Sequence, residues 1–221
     1  MVRQERAVRT RRTILEAAAA VFDERGYEAA TISEVLERAE VTKGALYFHF
    51  PSKADLARGV LDDAVTTEGV RPNRLKLQEL VDVLLLLAYR LPREPMLSAA
   101  LRMSVDLKAR RLFGTRWPDW TELLAGLLGE ARERGEVHAH VDAGETARIL
   151  VCAWTGTSVV CEGLPDDYDL TVEVAKLFQL VLPAIAQPLV LAKLEVSVDR
   201  AAALYADMPM ARIEASSGIT H

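Results

Sequence analysis

The chain of 221 residues (24.4 kDa) is 50% hydrophobic, 27% charged and 6% aromatic, with a mean hydropathy of +0.09. These values fit one large folded domain or two small ones; they exclude a disordered or collagen-like polypeptide, and two cysteines exclude a disulfide-rich secreted scaffold. A net charge of −5 speaks, as a whole-chain sum, against nucleic acid, whose partners usually carry a basic domain.

Nearly every long segment repeats its apolar residues with period 3.6 and almost none alternates with period two, so the expected fold class is all-α. The first helix spans about Arg9 to Arg25, with Ile14, Ala18, Val21 and Phe22 on one face, arginines opposite and Gly26 at its end. Thr31 and Glu34 form a capping box that opens a short helix, Ile32 to Ala39. Thr42 caps a third, very short helix, Lys43 to Phe48, in which Phe48 and Phe50 are expected to pin the helix into the core. Pro51 stops the chain, and Ser52 with Asp55 starts a fourth helix reaching about Thr67. Further helices are expected at Arg74–Leu91, Pro95–Arg110, Pro118–Arg134, Ala143–Gly163, Leu170–Ala186 and Pro188–Ala206, for ten at most in all. The small, polar residues 207–221 are expected to fray.

Two short helices joined by a tight turn at Glu40–Val41 and braced by a third have the plan of a helix-turn-helix. Its second helix is long enough to put one end into a major groove. Lys43 can donate to guanine or phosphate, Gly44 and Ala45 let the backbone approach base edges, and Tyr47, His49 and Lys53 offer polar tips to phosphate oxygens. Charge supports this reading locally. Residues 1–12 hold five arginines against Glu5 alone, and residues 1–58 hold ten Lys+Arg against nine Asp+Glu. The rest carries seventeen against twenty-three, so the acidic sum belongs to the body.

In that body, helices 143–163 and 170–186 are apolar around much of their circumference and must bury a second face, either inside the domain or against another subunit. Trp117 and Trp120 share one helix face; Trp154, Thr157 and Cys161 share another. Core packing explains such spacing most simply. A ligand pocket would use the same residues as an apolar wall, with the Thr157 hydroxyl fixing orientation.

The stretch Thr31-Ile-Ser-Glu-Val35, continued by Val41-Thr-Lys-Gly-Ala-Leu-Tyr-Phe-His-Phe-Pro-Ser-Lys-Ala-Asp-Leu56, resembles the DNA-binding signature of the tetracycline-repressor (TetR) family of bacterial regulators. The resemblance implies a homodimer reading successive major grooves of a near-palindromic double-stranded operator. Thr42, Lys43, Gly44, Ala45, Tyr47 and His49 would face DNA, with Thr31 and Lys53 on phosphates. It also implies dimerisation through helices 143–163 and 170–186. One departure stands in the turn, where the family commonly has Gly and this chain has Glu40. Arg116-Trp-Pro-Asp-Trp120, Val151-Cys-Ala-Trp-Thr-Gly-Thr-Ser-Val-Val160 and Leu182-Pro-Ala-Ile-Ala-Gln-Pro188 resemble one branch, the γ-butyrolactone autoregulator receptors. In that branch the position of Trp120 lines the hormone pocket and that of Thr157 can hydrogen-bond the ligand; Trp154 is a further candidate for the wall. The implied function is a repressor of antibiotic and signalling genes, released by a diffusible lactone or butenolide. The related pseudo-receptors, which answer to antibiotics or other small molecules, are the alternative.

The expected division is therefore a helix-turn-helix domain, residues 1–51, a ligand-binding and dimerisation domain, residues 52–206, and the tail. An enzyme is a remote alternative, since the Walker loop, the Gly-x-Ser-x-Gly elbow and the His-Glu-x-x-His helix are all absent from the sequence. His138 and His140, beside Glu136 and Asp142, read as a solvated acidic turn rather than a metal site, and the cysteines as buried hydrophobes; no cofactor or metal is expected. No secretory signal pattern is recognised, and the longest apolar run, Val83 to Ala88, is far below the roughly 20 residues that cross a bilayer. The expected location is the cytoplasm, with no membrane partner.

Overall fold

The computed structural model describes residues 2–164 and 168–208, with side chains from Arg6 onward. Among the described residues there are helices and no strands, apart from one isolated bridge between Val137 and Ala186. Twelve helices are described: α1 (Val2–Ala29), α2 (Ile32–Ala39), α3 (Lys43–His49), α4 (Lys53–Asp63), α5 (Lys76–Arg90), α6 (Pro95–Val105), α7 (Leu107–Phe113), α8 (Trp117–Glu133), α9 (Ala143–Glu162), α10 (Leu170–Ile185), α11 (Pro188–Leu191) and α12 (Val198–Ala206).

The excess over ten has local causes. Asp106 leaves helical geometry (φ −65°, ψ 124°) and its carboxylate accepts the Ala109 N–H at 2.7 Å, so one expected helix becomes α6 and α7. Ser197 likewise caps α12 separately from α11. The first helix is longer than expected at its start, because the arginine-rich segment continues the helix back to Val2. At its other end Gly26 adopts φ 74°, a conformation that costs a Cβ-bearing residue about 1–2 kcal/mol, and one more turn follows before Thr31.

The described residues form two compact units, one from residues 2–66 with 91–116 and one from residues 67–90 with 117–164 and 168–208. In the first, α1 packs along α2, α4 and α6. Its buried face, Ile14, Leu15, Ala18, Val21 and Phe22, meets Val35 of α2, Leu46 of α3, and Leu56 and Val60 of α4, all buried. Each of the Val, Leu, Ile and Phe side chains among them contributes about 1.5–3 kcal/mol relative to exposure. Gly59 allows α4 this close, since a Cβ there would lie 2.7 Å from Leu15 Cδ2. Asp23 fastens α6 to α1: Ser98 Oγ donates to its carboxylate at 2.5 Å, and Arg102 donates to its carbonyl at 3.1 Å. The expected boundary at residues 51/52 follows the motif; packing instead groups α4, α6 and α7 with the first three helices.

The second unit is built around α5, whose residues 77–86 are all buried. A helix buried on every side needs neighbours on every side, and α8, α10 and α12 pack on it. Its N-terminus is closed by Glu136, which is 3% exposed and accepts the backbone N–H groups of Lys76 (3.1 Å) and Leu77 (2.8 Å). This corrects the solvated turn expected around His138. The carboxylate satisfies orphan donors at a positive helix end, which is why it is buried. Asp82, 1% exposed, accepts two hydrogen bonds from Arg200 of α12 (2.5 and 2.7 Å) and one from Gln78 (2.8 Å). The frayed tail also needs correction at its start. Met208 is 2% exposed and packs with Leu86 and Leu204, while residues 209–221 lie outside the described residues.

Candidate nucleic-acid interface and ligand-facing helices

The turn before α3 is fixed by caps. Thr31 Oγ1 accepts the Glu34 N–H at 3.2 Å and donates to the Glu34 carboxylate, which also takes the Thr31 N–H at 2.8 Å. These bonds hold the Glu34 carboxyl below its ordinary pKa. Thr42 caps α3 through the Ala45 N–H at 3.2 Å. Between them Glu40 takes the left-handed conformation, φ 52° and ψ 38°.

Leu46 of α3 is buried, and so is Phe50, the extended C-cap that follows the helix (φ −136°, ψ 101°). The opposite side is exposed: Lys43, Gly44 and Tyr47, with Thr42 before them and Ala45 and His49 half-buried at the edge. Lys43 Nζ lies 5.9 Å from the Tyr47 ring centroid. A Cβ added at Gly44 would meet nothing within 4 Å, so the fold does not require this glycine. Phe48, expected in the core, is instead 80% exposed. It stands two residues from Leu46, about 200° round the helix, so the helical period places it outward. Its ring meets His49 edge-on at 5.1 Å.

The two residues expected on phosphates are engaged within the head. The Thr31 hydroxyl proton goes to Glu34. Lys53, half-buried, donates to the Glu28 carbonyl at 3.2 Å and lies 4.5 Å over the Tyr27 ring, and this burial lowers its pKa. Along α1 the exposed side chains of Arg6, Arg9, Arg11 and Arg12 extend the positive charge.

The residues expected to meet a ligand lie on α8 and α9, which pack along each other. Leu124, Leu128 and Ala131 form the buried stripe of α8, and Trp117, Trp120, Leu123 and Leu127 its half-buried flank. On α9, Thr157 is half-buried and donates to the Ala153 carbonyl at 2.8 Å, so its oxygen is left as an acceptor. Trp154 has a structural partner: its indole N–H donates to the Leu84 carbonyl at 3.1 Å, which ties α9 to α5. The side of α9 away from the core carries Ile149, Cys152, Gly156, Val159 and Val160, all exposed, so Cys152 is not the buried hydrophobe expected. Leu180 of α10 is 79% exposed. His138 and His140 stack at 5.5 Å, but no group of three or more His, Cys, Asp or Glu able to hold a metal occurs among the described residues. No described helix is long and apolar enough to cross a membrane.

Comparison with known proteins agrees with this architecture. Residues 14–60 match the family model for bacterial regulatory proteins of the tetR family, and residues 75–187 match a tetracyclin repressor-like C-terminal domain. The A-factor receptor protein of Streptomyces griseus is 42% identical over 205 residues, covering 91% of this chain and 74% of that protein. The crystal structure of full-length native TylP, a TetR regulator from Streptomyces fradiae, superposes with a TM-score of 0.82 at 39% identity, over 90% of this chain and 97% of that one. A solved γ-butyrolactone receptor described as ArpA-like gives a TM-score of 0.65 at 30% identity, over 92% and 99% of the two chains. With both halves matched and the helix-turn-helix in place, this chain belongs to the TetR family of bacterial regulatory proteins, DNA-binding regulators rather than enzymes.

Proposed function

We propose that this chain is a cytoplasmic repressor of antibiotic or other secondary-metabolite genes, released from its operator by a small γ-butyrolactone- or butenolide-type signal. On DNA, Lys43, Gly44, Ala45, Tyr47 and His49 of α3 approach base edges and phosphates, Thr42 and Lys53 flank them, and Thr31 reaches a phosphate by turning its hydroxyl away from Glu34. Phe48 joins this face as an apolar contact for sugars or thymine methyls. The observation that carries the reading is the exposed row Lys43–Gly44–Tyr47, where the open space beside Gly44 has no use within the chain. A helical glycine costs about 1 kcal/mol relative to alanine, a cost that close approach to a duplex explains.

The dimer forms through α9 and α10, whose exposed apolar stripes match a four-helix seam. The ligand lies against Trp120, with the Thr157 oxygen accepting a hydrogen bond from it and the Trp154 ring behind. Likeness to the A-factor receptor and to the ArpA-like γ-butyrolactone receptor supports this ligand class. Release needs only that the ligand prefer a state in which the two recognition helices depart from the roughly 34–36 Å of one DNA turn. A coupling of about 1–3 kcal/mol, or 5–150-fold, suffices.

The test starts from an operator recovered by selection of genomic fragments with the full-length protein. Purified γ-butyrolactones, butenolides and antibiotics are then added to the complex. Stoichiometric release by a lactone or butenolide is expected; release by an antibiotic alone would move the chain to the pseudo-receptors. Trp120→Ala should keep operator binding and lose release, whereas normal induction in that variant removes Trp120 from the pocket. Gly44→Ala should raise thermal stability, by about 1 kcal/mol, and weaken operator binding. Unchanged DNA affinity in both Gly44→Ala and Lys43→Ala would refute the recognition-helix assignment.

A further inference from the structure

Lys53 is the first residue of α4 and the only one of the proposed DNA contacts whose charge is held over an aromatic ring in a half-buried setting. That ring, Tyr27, does not stand alone. It lies past the Gly26 kink of α1, tilted against Phe22 at 5.7 Å, and its other neighbour is Phe113, edge-to-face at 4.7 Å and 75°. Phe113 is the last residue of α7 and lies under the guanidinium of Arg58 at 5.8 Å. Arg58 in turn pairs with Asp55 at 2.9 Å, the residue whose backbone N–H is capped by Ser52. The Phe113 ring is thus tied to the first turns of α4 twice, through Arg58 and through Tyr27 and Lys53.

We infer that Phe113 is a positioning residue for DNA binding: by wedging the Tyr27 ring, it fixes the Lys53 ammonium at the N-terminus of α4, where a phosphate is held. A lysine side chain carries much rotamer entropy, and a free one loses it on binding. Here the Tyr27 face and the Glu28 carbonyl restrict the side chain beforehand, and two of its three donors remain for a phosphate. Tyr27 can serve as that platform only while its ring is held in place, and Phe113, edge-to-face with it at 4.7 Å, limits how far the ring can shift. Residues outside the helix-turn-helix motif, on α7, therefore set part of its grip on DNA. The inference rests on the reading of Lys53 as a phosphate contact.

Operator affinity measured against salt separates the possibilities, because each phosphate contact contributes about −0.9 to the slope of log K against log [salt]. Lys53→Met should flatten the slope of a dimer by about 1.8, from two lost contacts. Phe113→Leu should produce most of the same flattening, Phe113→Tyr should restore it, and the double variant Lys53→Met/Phe113→Leu should be no weaker than Lys53→Met. Circular dichroism checks that each variant folds; if Phe113→Leu does not, Phe113→Met and Tyr27→Met carry the same expectation. A wild-type slope in folded Phe113 and Tyr27 variants overturns the inference, as do effects that simply add in the double variant. An unchanged slope in Lys53→Met overturns both the inference and the placement of Lys53, while leaving the Lys43 and Gly44 tests untouched.

Discussion

Glu40 bears the cost of a turn that glycine would make freely. The chain must reverse between α2 and α3 within two residues, and the C-cap of α2 reaches φ 52° to do so, its N–H donating to the Glu37 carbonyl at 3.4 Å. For a residue with a Cβ the left-handed conformation costs about 1–2 kcal/mol, offset in part by the smaller entropy glutamate loses on folding. Glu40→Gly should therefore stabilise the protein by about 1 kcal/mol in urea unfolding. The carboxylate is exposed and forms no ion pair or hydrogen bond with the described residues, so it also sets a negative charge beside the DNA-reading helix. Glu40→Gln keeps the strain and removes the charge. It should leave stability unchanged and raise operator affinity, more at low salt than at high. If Glu40→Gly is no more stable than the parent, the turn is not strained and the charge alone matters.

At the scale of elements, α12 is held on α5 by a polar clamp that sequence reasoning did not find. Its members are 118 residues apart, and Asp82 stands in the run Leu80-Val81-Asp82-Val83-Leu84, where a lone carboxylate reads as the solvent side of a helix. Nothing local says that Arg200 will cover it. Glu136 was hidden for the same reason, since its partners are backbone N–H groups 59 and 60 residues earlier in the chain. By contrast, α2, α3 and the start of α4 are legible because Thr31, Thr42 and Ser52 cap helices within three residues of themselves. The helix-turn-helix is legible from its motif and caps together, whereas hydrophobicity alone misplaces Phe48, which is 80% exposed. For the pocket, spacing put Trp154 and Thr157 on one face but could not show that their donors are committed to Leu84 and Ala153. The clamp yields its own prediction. Arg200→Ala leaves the Asp82 carboxylate buried with only Gln78 for company and should cost about 3–5 kcal/mol. Asp82→Asn added to Arg200→Ala should recover much of that loss, because the unpaired charge, rather than the missing contact, carries most of the penalty. A loss below about 1 kcal/mol in the single variant would mean that α12 contributes little to the unit.

For the molecule as a whole, the acidic sum and the DNA-binding role are reconciled by geometry that one protomer cannot supply. The locally basic stretch is the arginine-rich start of α1, five arginines against one glutamate in residues 1–12, and a single head offers too few contacts for tight binding at physiological salt. Joining two heads makes the second contact intramolecular, an avidity gain of about 10²–10⁴-fold that requires no new residue. The proposed seam is testable at Leu180, which is 79% exposed in the protomer and so contributes little to its own fold. Leu180→Glu would place two carboxylates, one from each subunit, in an apolar four-helix seam. Helix content and melting temperature at low protein concentration should stay close to the parent, while the mass in analytical ultracentrifugation falls to the 24.4 kDa of one chain. Operator affinity should fall by the avidity factor, and a half-site duplex should bind parent and variant alike. A Leu180→Glu protein that stays dimeric would place the seam elsewhere and leave the stripe Ile149, Cys152, Gly156 and Val160 without a partner. A monomer that still bound the full operator as tightly as the parent would show that the two heads do not act together.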